Sequence, residues 1–103
     1  MKLLSRQEEI VLLAIMRLGD GAYGVTIREF ISEITGKYWS IGAIYVPLER
    51  LLDKGFIKSD LQKTYDKKGG RSRRFYQLTR EGNEALDEIL QLQQALWKGY
   101  PGL

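Results

Sequence analysis

The sequence predicts a mainly helical α+β chain in which three short helices, a β-hairpin and a longer fourth helix follow one another. Apolar residues recur at helical spacing as far as Gly55 and alternate with polar residues after it. Two such alternating runs flank the pair Gly69-Gly70, a pattern typical of a hairpin. Helical spacing returns after Thr79. Apolar residues make up 44% of the 103 residues, which is enough for one small core.

The first two helices have recognisable start and stop signals. Ser5 and Glu8 have the spacing of a capping box, so we expect the first helix to begin at Ser5 and to end in the run 19–21. The second helix follows the link 21–24 and ends at Gly36. The residues expected to face the core are Ile10, Leu13, Ala14 and Leu18, widened by Val11 and Met16, in the first helix, and Ile27, Phe30, Ile31 and Ile34 in the second.

The predicted helix from Ser40 to Gly55 organises the rest of the chain. Ser40 is a suitable N-cap, and Gly55 is a suitable C-terminal stop. Pro47 removes one backbone hydrogen bond, but because Ser40 already supplies a start signal we predict a kinked, continuous helix. Its core face is formed by Ile44, Leu48, Leu51 and Leu52, and its opposite face by Gly42, Ala43, Tyr45, Val46, Glu49, Arg50 and Asp53.

The face opposite the core suits the major groove of DNA. It begins with small residues and a tyrosine and becomes charged only further along. The major groove admits a helix, whose N-terminal residues reach the base edges. The alternative interpretation is an ordinary amphipathic helix of a small core.

The hairpin and the last helix complete the predicted fold. One alternating run extends from Phe56 to Tyr65, with Ile57, Leu61 and Tyr65 on one side, and a second extends over 73–79. The turn-forming segment 66–72 joins them. Three helices followed by a hairpin with a basic tip outline a winged helix-turn-helix. Thr79 caps a final helix that we expect to run to about Lys98.

The final helix carries an apolar stripe at or near heptad spacing. The stripe consists of Leu86, Ile89, Leu90, Leu96 and Trp97, with Gln93 in its polar slot. Because this helix has no core of its own to cover, the stripe predicts a contact between copies of the chain.

Charge is concentrated in one segment of the chain. Residues 62–80 contain seven lysines and arginines against Asp66, a net charge of +6, which leaves −3 for the rest of a chain whose total is +3. A basic segment on a slightly acidic protein indicates a polyanionic partner.

Several classes of function and location are disfavoured by composition. The chain contains no cysteine and no histidine, which excludes thiol and imidazole catalysis and the usual zinc ligands. We therefore expect no cofactor and no metal. No apolar run is long enough to span a bilayer, and the N-terminus lacks the apolar region of a signal peptide. We expect a cytoplasmic protein without a membrane partner.

Three stretches resemble the PadR family of bacterial transcription regulators. They are AYGVTIREFI (22–31), YWSIGAIYVPLERLLDKGFIKS (38–59) and GGRSRRFYQLTREGNEAL (69–86), within a resemblance that covers about residues 8–98. The third is the most specific, with its Gly-Gly-Arg tip, its Arg-aromatic-aromatic-x-Leu-Thr strand and the Glu-Gly pair that opens a helix. Two departures are visible. Tyr23-Gly24-Val25-Thr26 stands where the family often has His-Gly-Tyr-Glu, and Tyr45-Val46-Pro47 stands where it has an adjacent Tyr-Pro pair.

The resemblance implies a winged-helix repressor that binds a two-fold operator in double-stranded DNA as a homodimer. In the family, the C-terminal helices build the dimer, and in small members a tryptophan near its centre can stack on a planar effector. Trp97 lies on the matching helix. The single short C-terminal helix resembles the small subclass, so the expected partners are DNA, a second copy and, where one exists, a small aromatic effector.

These patterns assign expected boundaries and candidate site residues. We expect a winged-helix DNA-binding domain over 1–80, a dimerisation helix over 81–98 and a loose tail over 99–103. The candidate DNA-binding residues are Tyr23, Ser40, Gly42, Ala43, Tyr45, Arg50, Lys67, Lys68, Gly70, Arg71 and Arg73. The candidate dimer and effector residues are Leu86, Ile89, Leu90, Gln93, Leu96 and Trp97.

Some of these candidates have a second interpretation. The wing cations either contact phosphates or form a solvated turn, and Tyr45 either contacts DNA or packs against Trp39. Trp97 and Leu96 either line an effector pocket or form dimer core. The usual bidentate base readers are absent from the first turns of the third helix, so we expect shape and phosphate contacts to carry much of the binding.

Two other functions are alternatives to a DNA-binding regulator. The runner-up is a winged-helix protein–protein interaction module without sequence-specific DNA binding, which the basic wing argues against. An enzyme is the least favoured, because the chain has no phosphate loop and no strong carboxylate cluster in an expected cleft.

Overall fold

The computed structural model describes residues 3–64 and 71–102. Its elements are α1 (Arg6–Leu18), a 3₁₀ turn (Gly19–Gly21), α2 (Gly24–Thr35), α3 (Ile41–Asp53), β1 (Ile57–Thr64), β2 (Arg71–Leu78) and α4 (Arg80–Trp97). This order confirms the predicted α+β architecture. Within the described part of the chain, no helix combines the length and apolar character needed to cross a membrane.

Three helices begin at the capping residues that the sequence predicts. The Ser5 hydroxyl accepts from the backbone N–H of Glu8 at 3.2 Å, and the Glu8 carboxylate accepts from the N–H of Ser5 at 2.9 Å, which completes the capping box. Ser40 Oγ accepts from Ala43 N at 3.1 Å, and Thr79 Oγ1 accepts from Gly82 N at 3.0 Å. Each cap satisfies a backbone donor that the first turn leaves free.

α3 ends in a left-handed glycine, as predicted. Gly55 has φ +79°, and its N–H donates to the carbonyl of Leu52 at 3.0 Å. The next N–H, of Phe56, donates to the carbonyl of Leu51 at 3.0 Å, so the two bonds form a Schellman motif. The helix continues through the buried Pro47, and its continuity is therefore confirmed.

The core lies between α1, α2 and α3 and is closed by the hairpin. Its buried members come from the helices, from the segment before α2 and from the hairpin: Val11, Leu12, Ala14, Ile15, Ala22, Ile27, Ile31, Ile44, Leu48, Leu51, Phe56, Ile57 and Tyr76. An ion pair between the buried Glu8 of α1 and the partly exposed Lys54, the C-cap of α3, joins two of the helices at the edge of this core.

The predicted core face of α1 is confirmed for Val11 and Ala14, which are buried, and for Ile10 and Leu18, which pack against the core, but it is wrong for Leu13 and Met16. Leu13 and Met16 are 41% and 44% exposed, whereas Leu12 and Ile15 are buried. Residues 10–16 are all apolar, so the helix has an apolar surface nearly all round, and periodicity cannot tell which side will be covered. Ile34, predicted as core, is 68% exposed because it lies in the last turn of α2, next to its end at Thr35.

The hairpin is antiparallel and packs against the segment that precedes α2. Its register runs from Ile57 opposite Leu78 to Thr64 opposite Arg71. The N–H of Tyr76 donates to the carbonyl of Ala22 at 2.8 Å, and a single β-bridge joins residues 23 and 75. This attachment fixes β2 beside the N-terminus of α2.

α4 is held against the body at its first turn. A Cβ atom at Gly82 would lie 2.0 Å from the carbonyl oxygen of Phe56, so only glycine permits the observed approach. The Thr79 hydroxyl donates to the carbonyl of Gly55 at 2.7 Å, and its N–H donates to the carbonyl of Phe56 at 3.1 Å. Beyond this anchor the side chains of α4 are half-buried or exposed.

Candidate nucleic-acid interface

α2, the turn over 36–40 and α3 form a helix-turn-helix with one side of α3 open to solvent. The exposed positions of α3 recur in pairs, one helical turn apart: Ile41, Gly42, Tyr45, Val46, Glu49, Arg50 and Asp53. On the opposite side, Leu48 and Leu51 are fully buried. The two faces therefore divide as the sequence predicts. The exposed stripe is apolar in its first two turns and charged in its third and fourth.

The candidate DNA-binding residues of α3 differ in exposure and in position along the helix. Ser40 and Gly42 are exposed at the start of the helix, while Ala43 is half-buried. Arg50 is exposed two turns further along. A Cβ at Gly42 would meet only the Ser40 hydroxyl oxygen, at 4.0 Å, so the backbone here is open to a close approach from outside.

Tyr45 lies across the N-terminus of α2. A Cβ at Gly24 would come within 2.5 Å of its phenolic oxygen, so the absence of a side chain at Gly24 makes room for the ring. Trp39 packs elsewhere, against the end of α2, where its Nε1–H donates to Thr35 Oγ1 at 3.1 Å. Tyr45 keeps its outer edge exposed and thereby joins the surfaces of α2 and α3.

The buried Tyr76 of β2 belongs to the core and lies near Tyr45 and Glu49 of α3. Burial raises the pKa of the Tyr76 phenol, the nearby Tyr45 and Glu49 raise it further, and Arg74 acts in the opposite direction. The phenol is therefore neutral at physiological pH and serves as a packed structural side chain.

Tyr23 and Arg73 are brought together from positions 50 residues apart. The guanidinium carbon of Arg73 lies 4.8 Å from the centroid of the Tyr23 ring, and its Nη1 donates to the Tyr23 hydroxyl at 3.3 Å. The ring of Phe75 meets Tyr23 edge-on, with the centroids 5.3 Å apart. Sequence reasoning missed Phe75, although Arg73 and Phe75 share one face of a strand by simple alternation.

Arg74 points to the other face of β2. Its Nη1 donates to Ser59 Oγ of β1 at 2.9 Å. Arg73 and Arg74 therefore lie on opposite faces of the strand, as alternation along a strand requires, and of the two only Arg73 lies beside the N-terminus of α2.

The tip of the wing lies outside the described residues. Lys67, Lys68 and Gly70 fall in this gap, and Arg71 is placed only as the first residue of β2, opposite Thr64. Their contacts with phosphates remain predictions.

The candidate dimer and effector residues lie along the outer part of α4. Leu86, Ile89 and Gln93 are half-buried, while Leu90, Leu96 and Trp97 are 57%, 69% and 48% exposed. The indole N–H of Trp97 donates to Gln93 Oε1 at 3.0 Å, and the ring of Tyr100 meets the indole edge-on at 4.9 Å. Tyr100 was not among the predicted site residues, because the sequence indicates only a tail there.

Sequence and structure comparisons agree on one family. Residues 12–88 match the model of the transcriptional regulator PadR-like family. A PadR-like transcriptional regulator from Bacillus cereus is 25% identical, with a TM-score of 0.70 over 86% of this chain and 82% of that one. A PadR family transcription regulator from Clostridium difficile is 27% identical, with a TM-score of 0.66 over 88% of this chain and 90% of that one.

A more distant likeness extends the agreement on fold. RosR from H. salinarum is 23% identical and superposes with a TM-score of 0.72 over 93% of this chain and 79% of its own. No curated protein is similar enough in sequence to match. The match over 12–88 covers most of the chain, including α2, α3, the hairpin and the first half of α4. The chain belongs to the PadR-like family of transcriptional regulators.

Proposed function

We propose that this regulator is a repressor that binds a two-fold operator in double-stranded DNA as a homodimer. The observation that carries the proposal is a continuous surface built from three elements. Tyr45 of α3 rests on Gly24 of α2, and Tyr23, next to Gly24, holds Arg73 of β2. A helix with an open face is thereby joined to a cation-bearing hairpin at its side.

The helix and the hairpin of this surface suit the major groove and the phosphate backbone of a duplex, respectively. The open face of α3 has the width to enter the major groove, where the N-terminal residues of a reading helix meet the base edges. Arg73, held by Tyr23, is then positioned for the phosphate backbone beside the groove, and the wing cations extend the same contact. The concentration of positive charge in 62–80 supports a polyanionic partner over a protein partner.

The outer part of α4 supports association of two copies. Leu90, Leu96 and Trp97 repeat at near-heptad spacing on a helix whose outer half has no described partner within the chain. Pairing such helices about a two-fold axis would bury the stripe and present two α3 helices to half-sites about 34 Å apart, or a multiple of that distance.

Trp97 supports regulation by a small aromatic effector. Its indole is half-exposed, donates a hydrogen bond to Gln93 and meets the ring of Tyr100 edge-on. A flat aromatic molecule could stack on the open indole face, next to the seam on which dimer geometry depends.

Fluorescence anisotropy with two labelled duplexes tests the DNA-binding part of the proposal. One duplex is taken from immediately upstream of the gene for this protein, and the other is a scrambled version of it. Tighter binding to the upstream duplex, retained at higher salt, is expected of a sequence-selective regulator. Equal binding that disappears with salt would reduce the proposal to non-specific attraction, and no binding to either duplex would favour a protein-interaction module.

Repression is tested by transcription in vitro from the promoter that contains the bound duplex. We expect the protein to lower transcript yield at the concentrations at which it occupies the site. An unchanged or raised yield at full occupancy would reject repression and leave DNA binding intact.

A further inference from the structure

The open face of α3 begins with side chains that have no polar group. Ile41 and Val46 are 60% and 51% exposed at the start of the stripe, and Val25 of α2 is exposed beside Ile41 along one shallow cleft. From Ile41 to Leu48, the only side chain with a hydrogen-bonding group is Tyr45, which lies over Gly24. An exposed apolar patch on a helix face, unlike a single exposed aliphatic side chain, indicates an interaction surface.

Val46 occupies the central position of this face. Gly42, Val46 and Arg50 follow one another at four-residue spacing and form one ridge of the helix. Gly42 leaves open space on the N-terminal side of the ridge, so Val46 is the first side chain on it. A valine in a helix has one strongly preferred rotamer, and its two methyl groups are therefore held in a fixed position.

Only one feature of the major groove rewards an aliphatic contact. The edges of the four bases present hydrogen-bond donors and acceptors, and thymine adds a C5-methyl group. A valine opposite a donor or an acceptor would desolvate it without replacing the hydrogen bond to water. Against the thymine methyl, the same side chain buries apolar surface and leaves no polar group unpaired.

We propose that Val46 recognises thymine C5-methyl groups in the operator. The proposal rests on the DNA-binding function proposed above and specifies the class of sequence that this function selects. Each half-site carries a thymine opposite Val46, and Arg50, one turn further along the same ridge, lies toward the backbone. Discrimination of about three- to fivefold per methyl group follows from the surface that one methyl contact removes from water.

The test replaces thymine by deoxyuridine, which removes only the C5-methyl group. The full chain first selects duplexes from a randomised library, and each thymine of the selected half-site is then replaced singly in both half-sites. We expect wild-type affinity to fall about nine- to twenty-fivefold at the position opposite Val46, because the change occurs twice in a two-fold site. Val46→Ala should bind the thymine and deoxyuridine duplexes at that position almost equally.

Two controls separate methyl recognition from general damage. Ile34→Ala also shortens an exposed aliphatic side chain of the helix-turn-helix, but at the far end of α2, and should keep the wild-type ratio between the two duplexes. Circular dichroism of Val46→Ala checks that its helices are intact, which is expected of a substitution at an exposed helical position.

The possible outcomes distinguish this inference from the function on which it rests. Tight, selective binding with no deoxyuridine effect at any thymine would overturn methyl recognition and leave the DNA-binding function standing. A deoxyuridine effect that persists unchanged in Val46→Ala would overturn the assignment to Val46. Failure to bind any selected duplex would overturn both proposals.

Discussion

At the scale of single residues, the neighbours Arg73 and Arg74 form a natural pair of test and control. Arg73 is held against Tyr23 beside the N-terminus of α2, while Arg74 is bonded to Ser59 on the other face of the strand, which it shares with the buried Tyr76. We expect Arg73→Ala to weaken binding to every duplex alike. The slope of log K against log salt should become shallower by about 0.9 for each bound protomer, because one phosphate contact is lost. Arg74→Ala should leave that slope unchanged. Anisotropy titrations over a salt series measure both, and equal slopes for the two variants would remove Arg73 from the interface.

The stability of the fold depends on pH through the ionisation of Glu8. Burial by itself raises the pKa of the Glu8 carboxyl, but hydrogen bonds from Lys54 and from Ser5 outweigh burial and lower it below its ordinary value. Because the pKa of Glu8 is lower in the folded than in the unfolded chain, the ionised carboxylate stabilises the fold. This contribution is fully present above the ordinary pKa of a glutamate and is lost as pH falls through the lowered pKa of the folded state. Glu8→Gln should therefore cost about 1–3 kcal/mol of unfolding free energy near neutral pH, and less at pH 3.

Urea denaturation at several pH values measures the contribution of Glu8. Glu84→Gln is the matched control, because Glu84 also pairs with a cation, Arg80, but on the surface, where both side chains are largely exposed. A Glu84→Gln variant as unstable as Glu8→Gln would contradict the role given to burial.

At the scale of the elements, glycine decides how closely α4 approaches the body. Gly82 and Gly42 both lie in the first turns of helices, but a methyl group meets the Phe56 carbonyl at the first and open space at the second. Gly82→Ala should destabilise the protein by about 1–3 kcal/mol, since the backbone must shift. Gly42→Ala should stabilise it by up to about 1 kcal/mol, since alanine is the better helix former. Thermal unfolding that ranks the two variants in the opposite order would contradict this docking of α4.

The ends of the elements could be predicted because caps are local. Ser5, Ser40 and Thr79 each accept from a backbone N–H three residues away, so a short window of sequence contains the whole interaction. The phase of α1 could not be predicted, because the apolar run 10–16 offers several equivalent faces. Which of them is buried depends on where α2 and α3 pack, and this information is absent from the run itself.

In the candidate site, too, local features could be predicted from the sequence and long-range contacts could not. The open face of α3 follows from helical periodicity, and the opposite directions of Arg73 and Arg74 follow from strand alternation. The contact of Arg73 with Tyr23 joins distant positions through the β-bridge between 23 and 75, and no local pattern indicates it. Tyr100 was missed because a glycine- and proline-containing end gives no sign that its tyrosine will pack against Trp97.

At the scale of the whole molecule, the outer half of α4 is the proposed contact between two copies of the chain. In the proposed dimer, each α3 helix would contact one half-site, so tight operator binding would require a second copy held at fixed spacing. Leu90 lies at the centre of the exposed stripe, so Leu90→Asp would place a charge in the proposed seam between two α4 helices. We expect this variant to be a folded monomer that loses tight operator binding and retains weak, salt-sensitive binding to any duplex.

Ala95→Asp is the control for this prediction, because Ala95 is also exposed on α4 but lies away from the stripe. Both variants add one negative charge and have the same effect on net charge, so only the position of the charge differs. Light scattering should give monomers for Leu90→Asp and dimers for Ala95→Asp, while circular dichroism shows equal helix content. If Leu90→Asp remains dimeric, the copies associate through another surface, and the half-site spacing must be derived from that surface instead.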